Sequence, residues 1–133
     1  MVSSTIIDVG ANTGIFTLVA KSANPNANVI AFEPITRIYE KLLKNIHINK
    51  YDAAAFDIGI SNFDGKQEIY DFPDIKNPYS ASLDFNLPNE ISLRSQFDLK
   101  KILISTKKLD SFINEMRIKE LTNTLIIWNQ KVY

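Results

Sequence analysis

The sequence contains no cysteine, which excludes disulfide scaffolds, thiolate zinc sites and thiol nucleophiles. It has no excess of charge either, since 15 lysines and arginines stand against 15 aspartates and glutamates. No global field therefore draws the protein to nucleic acid or to an anionic membrane surface. No apolar stretch approaches the ~18 to 20 residues of a membrane-spanning helix. Met1-Val2-Ser3-Ser4-Thr5 carries no cationic region and the first apolar run is broken at Asp8, unlike a secretory signal; the cytoplasm is the expected compartment. Low-complexity segments, repeats and linkers are lacking too. A chain of 133 residues, 45% apolar and 23% charged, has ordinary globular composition and fits one domain over residues 1–133. The single histidine, His47, has no serine or carboxylate at a triad spacing and reads as a solvated helix position.

Glycine is scarce, with four in the chain, and two of the four bracket one short segment. Thr5-Ile6-Ile7-Asp8-Val9 reads as a buried β-branched strand that stops at Gly10-Ala11-Asn12-Thr13-Gly14. A largely apolar helix over 15–23 follows and ends at Asn24-Pro25-Asn26, then a strand Val29-Ile30-Ala31-Phe32 closing on Glu33-Pro34. Ile35, Ile38, Tyr39, Leu42, Leu43 and Ile46 recur at helical spacing, with Lys41, Lys44 and His47 on the opposite side. A third strand is expected over 53–60. This strand and helix alternation predicts an α/β fold with a parallel sheet and right-handed crossovers. Beyond it, Asp64-Gly65 marks a turn before an antiparallel strand over 66–72, the proline-rich stretch 73–89 reads as loop, and 102–106 reads as strand. Asp110 is placed to cap a helix over 111–119, and 125–128 is a last apolar strand.

Gly10 and Gly14 lie between a strand and a helix, where the chain turns sharply and its backbone can approach a ligand. Glu33 stands at the end of the second strand, the place from which an acidic side chain accepts hydrogen bonds from both ribose hydroxyls. A dinucleotide fingerprint would carry glycine where this chain has Asn12, and Asp8 beside the turn repels pyrophosphate while suiting an ammonium and a sulfonium. S-adenosylmethionine carries both cations and no phosphate. An NAD(P)-binding oxidoreductase domain and a non-catalytic cofactor-binding remnant are the competing readings, as are, for the residues themselves, a plain tight turn, a loop-satisfying Asp8 and a helix entry at Glu33-Pro34.

Ile7-Asp8-Val9-Gly10-Ala11-Asn12-Thr13-Gly14, Ala31-Phe32-Glu33-Pro34 and Leu42-Leu43-Lys44-Asn45-Ile46-His47-Ile48-Asn49 closely resemble the FkbM-type class I methyltransferases. Gly59-Ile60-Ser61-Asn62-Phe63-Asp64-Gly65 and Thr106-Lys107-Lys108-Leu109-Asp110-Ser111-Phe112 are similar to later steps of the same family. The resemblance implies a Rossmann-like sheet, S-adenosylmethionine as methyl donor, and O-methylation of a hydroxyl on a sugar or secondary metabolite. It places Gly10, Ala11, Asn12 and Gly14 around the methionine portion, Asp8 near its ammonium, Glu33 on the ribose, and Pro34, Gly59 and Ile60 beside the adenine. Asp57 is a weaker adenine candidate against a solvated strand carboxylate. It names no catalytic residue.

Where the family carries a strand reading roughly Ile-Lys-Ile-Asp-Val-Glu-Gly, this chain has Leu125-Ile126-Ile127-Trp128-Asn129-Gln130-Lys131-Val132-Tyr133. Its acidic pair is missing. By that comparison the chain resembles a truncated enzyme with an incomplete second half, lacking turnover alone and prone to self-association through an exposed, apolar sheet edge. Asp64, Asp71 and Asp74 lack calcium-loop spacing and read as solvated loop residues, so no metal site is expected. Trp128 and Tyr133 read as buried strand-end residues before acceptor-stacking groups.

Overall fold

The computed structural model describes residues 4–71, 100–118 and 123–129. Strand β1 (Thr5–Val9) leads into helix α1 (Ile15–Ala23), strand β2 (Asn28–Phe32), helix α2 (Thr36–Ile48) and strand β3 (Ala53–Phe56). Short β4 (Gly59–Ile60), β5 (Gly65–Asp71) and β6 (Lys100–Lys107) follow, then helix α3 (Leu109–Glu115) and strand β7 (Thr124–Trp128). The main sheet runs β3-β2-β1-β7, every pair parallel, and the second sheet runs β4-β6-β5, with β6 parallel to β4 and antiparallel to β5. The fold is the expected Rossmann-like α/β arrangement.

Alternation along the strands divides the core. Ile7, Val9, Ile30 and Phe32 face one side of the main sheet, where Ile60 and Phe112 complete a buried cluster. The Phe112 ring stands edge-on to Phe32 at 4.7 Å and to Phe56 at 4.9 Å, fixing α3 against the sheet. On the opposite side Ala11, Ala31, Leu42 and Ile46 pack together, the small alanines letting α2 approach closely. As the periodicity predicts, Ile38, Leu42 and Ile46 are buried while Lys41, Lys44 and His47 face water; Leu43 departs from the stripe and is exposed. The second sheet leans on the start of α2 through Ile35, Ile38, Ile69 and Ile104.

Four local expectations are corrected. The single strand over 53–60 is two: Glu33 N donates to Phe56 O at 3.0 Å, the chain bends at exposed Asp57, and β4 joins the other sheet. The expected helix over 111–119 starts at Leu109 and ends at Glu115, before Arg117 turns left-handed at φ 53°. Asp110 sits in its first turn and does not cap it; Asp64 does that work from a distant turn, accepting from Lys108 N and Ser111 Oγ, both at 2.8 Å. These bonds hold the Asp64 carboxyl below the usual range, first through the Lys108 N–H. Helix α1 buries Thr17 and Lys21 and exposes Ile15, Phe16 and Val19. Lys21 Nζ donates to Pro25 O and Ala27 O at 2.8 Å, which ties the helix end to the following turn. Trp128, expected to be buried, is 46% exposed, beside exposed Leu125 and Ile126. The expectations for 73–89, for Phe72, Asp74 and Lys119, and for Tyr133 lie outside the described residues.

Candidate functional site

The segment after β1 lies at the carboxyl end of the parallel sheet, where β2 lies on one side of β1 and β7 on the other. Strand order reverses there, and ligands of open α/β sheets bind at that crevice. Gly10 (φ 74°), Asn12 (φ 54°) and Gly14 (φ 98°) all take left-handed conformations. Gly14 has a second constraint, because a Cβ there would stand 2.6 Å from Leu42 Cδ1 in the core.

Every backbone amide of this turn is already engaged by the protein. Gly10 N and Ala11 N both donate to Phe32 O, at 2.9 and 2.8 Å, and Gly14 N donates to Ala11 O at 2.9 Å. Asn12 N donates to Glu33 Oε2 at 3.0 Å, and Thr13 N to Asn12 Oδ1 at 2.7 Å. Asn45 Nδ2 of α2 holds Thr13 O at 2.7 Å. A phosphate cradle needs several free N–H groups converging on the anion. This turn presents none of its five.

Glu33 is fully enclosed, at 0% exposure. Its Oε1 accepts from Ile35 N at 3.0 Å and its Oε2 from Asn12 N. Burial dominates over these bonds and pushes the carboxyl up to about 7. Arg37 nearby lowers it and Asp71 raises it. Arg37 is itself joined to Asp71, through Nε to Oδ2 at 2.7 Å and through a second contact from Nη2 to Oδ1. Asp71, expected to be solvated, is therefore a buried partner of α2. A carboxylate offers about four acceptor positions, of which Glu33 spends two on these amides.

Asp8 is equally enclosed. Thr17 Oγ1 donates to its Oδ2 and Asn129 Nδ2 to its Oδ1, both at 2.7 Å. Burial raises its carboxyl above the ordinary value, against the lowering effect of those donors. Asp8 thus joins β1 to α1 on one side and to the exit of β7 on the other.

The structure brings Asp8, the turn 10–14 and Glu33 to one end of the sheet. It also brings Pro34 beside Gly59: a Cβ on Gly59 would lie 3.5 Å from Pro34 Cβ and 3.2 Å from Ile104 Cδ1. Ile60 packs into the core with Phe32 and Phe112, and Ala11 into the α2 side. His47, in the last turn of α2, is exposed, and Asp57, also exposed, follows β3 at this end of the sheet. No group of three or more acidic or histidine side chains with metal-binding geometry occurs among the described residues. The sequence reading gave no role to Thr17, Asn45 or Asn129. Thr17 had a signal, a polar residue on the first turn of an apolar helix; Asn129 had one in the departure from the acidic strand.

The model of the methyltransferase FkbM domain matches residues 8–126. The antimetabolite synthetase AmbE of Pseudomonas aeruginosa is 35% identical over 68 residues, covering 51% of this chain and 3% of that protein. Methyltransferase sdnD of Sordaria araneosa is 35% identical over 72 residues, 53% of this chain and 28% of its own length. Methyltransferase 1 of Beauveria bassiana is 23% identical over 133 residues, 92% of this chain and 52% of its own. The chain thus spans about half, or less, of the length of these relatives. No solved structure matches it significantly.

Proposed function

The chain belongs to the methyltransferase FkbM domain family, and on that premise we propose that residues 1–133 form one S-adenosylmethionine-binding domain of an O-methyltransferase. The acceptor in this reading is a hydroxyl of a small molecule, either a sugar or a secondary metabolite. The observation that carries the donor assignment is the engagement of all five amides of the turn 10–14 within the protein, next to two buried carboxylates. Such a site rejects pyrophosphate, which needs donors, and accepts a ligand that is cationic at one end and carries hydroxyls at the other. This disfavours NAD(P) on the same grounds as Asn12 in the sequence.

When bound, S-adenosylmethionine supplies a methyl group on a sulfonium, activated for transfer to a nucleophilic oxygen. The chain's own contribution is binding and orientation. Glu33 takes the ribose hydroxyls on its remaining acceptor positions, held in place by Asn12 and Ile35. Gly10, Ala11, Asn12 and Gly14 bound the methionine end, and Pro34, Gly59 and Ile60 the adenine side, where apolar shape does the work. Asp8 supplies negative charge beside the methionine end. The reading also assigns the protein to the cytoplasm and self-association to β7, whose Leu125, Ile126 and Trp128 are exposed and which has one neighbour, β1, among the described residues. No helix among the described residues is long and apolar enough to cross a membrane. Calorimetric titration with S-adenosylhomocysteine and with NAD tests the donor assignment, and tighter binding of NAD overturns it.

A further inference from the structure

Asp8 carries the charge expected to meet the ligand's ammonium, yet it is fully enclosed, while Asn129, which touches it, is exposed. Asn129 is fixed twice. Its backbone N donates to Val9 O at 2.9 Å, and its side chain donates to Asp8 Oδ1 at 2.7 Å. An ionised carboxylate only accepts hydrogen bonds. Asp8 therefore decides which end of the Asn129 amide faces it, the nitrogen, and the carbonyl oxygen Oδ1 is turned the other way. Thr17 occupies the second oxygen of Asp8 at 2.7 Å, so neither carboxylate oxygen is bare.

Position gives this oriented carbonyl a use. Asn129 directly follows β7, at the carboxyl end of the sheet and on the β1–β7 side where strand order reverses. Here the turn 10–14 offers no free amide of its own. A carbonyl oxygen backed at one remove by a buried carboxylate attracts a hydrogen-bond donor, above all a cationic one, because the enclosed charge is poorly screened.

Resting on the cofactor reading above, we propose that Asn129 Oδ1 is the acceptor that meets the ammonium of S-adenosylmethionine. Asp8 is then a positioning residue that acts through Asn129. The assignment explains why a carboxylate stands at this end of the sheet without being open to solvent: its function is to set the amide. A purely structural clasp between β1 and β7 would use the same bonds but would have no preference among ligands.

The test is calorimetric titration of the chain with S-adenosylhomocysteine and with methylthioadenosine, which shares the adenosine and thioether but lacks the amino-acid end. Asn129→Ser removes the carbonyl and leaves a short polar side chain in its place. Its affinity for S-adenosylhomocysteine is expected to fall about tenfold, the effect of one hydrogen bond to a charged group, with methylthioadenosine unchanged. Asp8→Asn, which frees the amide to turn over, is expected to give the same split. Thermal melts of both variants identify any that fails to fold, in which case the other decides the question. Equal losses for the two ligands, or no loss for either, overturn the assignment. A wild-type chain that binds neither ligand overturns the cofactor reading and this assignment together. Wild-type binding of both ligands with no split in the variants overturns this assignment alone.

Discussion

The backbone N–H of Asn12 donates to Oε2 of Glu33 at 3.0 Å across 21 positions of sequence. The bond joins the turn after β1 to the acidic residue after β2, so the two features read separately from the sequence form one structural unit. Glu33 therefore shapes the turn, in addition to the ribose contact proposed for it. Glu33→Gln should weaken S-adenosylhomocysteine binding by about 1.5 to 3 kcal/mol, the worth of hydrogen bonds to a charged acceptor. Calorimetry reads this directly, and an unchanged affinity would remove Glu33 from the site.

The raised carboxyl of Glu33 links stability to pH. Its folded-state value of about 7 lies above its ordinary 4.5, so between those values the folded chain holds a proton that the unfolded chain has lost. Stability is full below the lower value and declines as pH rises to about 7, by on the order of 3 kcal/mol for this group alone. Asp8, also raised by burial, acts in the same direction. Ligand binding should run the opposite way, because ribose hydroxyls donate to the ionised form. Urea denaturation across this range should show wild type losing stability as pH rises and Glu33→Gln losing much less of it. Equal pH slopes for the two would contradict the assignment.

Much of the fold was legible because its signals are local. The stop at Gly10, the stripe from Ile35 to Ile46 and the Glu33-Pro34 exit each depend on neighbours in sequence, and β1, α1, β2 and α2 follow them closely. What escaped reading depends on residues brought together by the fold. Asp64 caps a helix 44 positions away, and Asn129 reaches Asp8 across 121. Asp71 is paired with Arg37 where composition alone reads loop. The exposed apolar side of α1 was hidden for a related reason: an apolar count shows that residues can be buried, and the neighbours decide which are.

Gly14 offers a test of the turn. At φ 98°, and with Leu42 Cδ1 2.6 Å from the place a Cβ would take, Gly14→Ala should cost about 2 kcal/mol of folding stability through backbone strain and displacement of Leu42. Chemical denaturation measures it. A stability within about 0.5 kcal/mol of wild type, the spread of ordinary surface substitutions, would mean the turn is free to relax.

Strand β7 supplies another. Its Leu125, Ile126 and Trp128 are exposed, and β1 is its one partner among the described residues. The chain should self-associate with rising concentration, and Ile126→Lys, which places a charge on that edge, should shift it toward monomer. Sedimentation velocity distinguishes the cases. A wild-type chain that stays monomeric throughout would contradict the edge argument.

The central claim is that the turn, with its amides engaged and two carboxylates behind it, is built for an S-adenosyl ligand and against a pyrophosphate. Isothermal titration of the chain with S-adenosylhomocysteine and NAD, side by side, tests it most directly. The account predicts saturable one-to-one binding of S-adenosylhomocysteine and weaker or no binding of NAD. Tighter binding of NAD would contradict it.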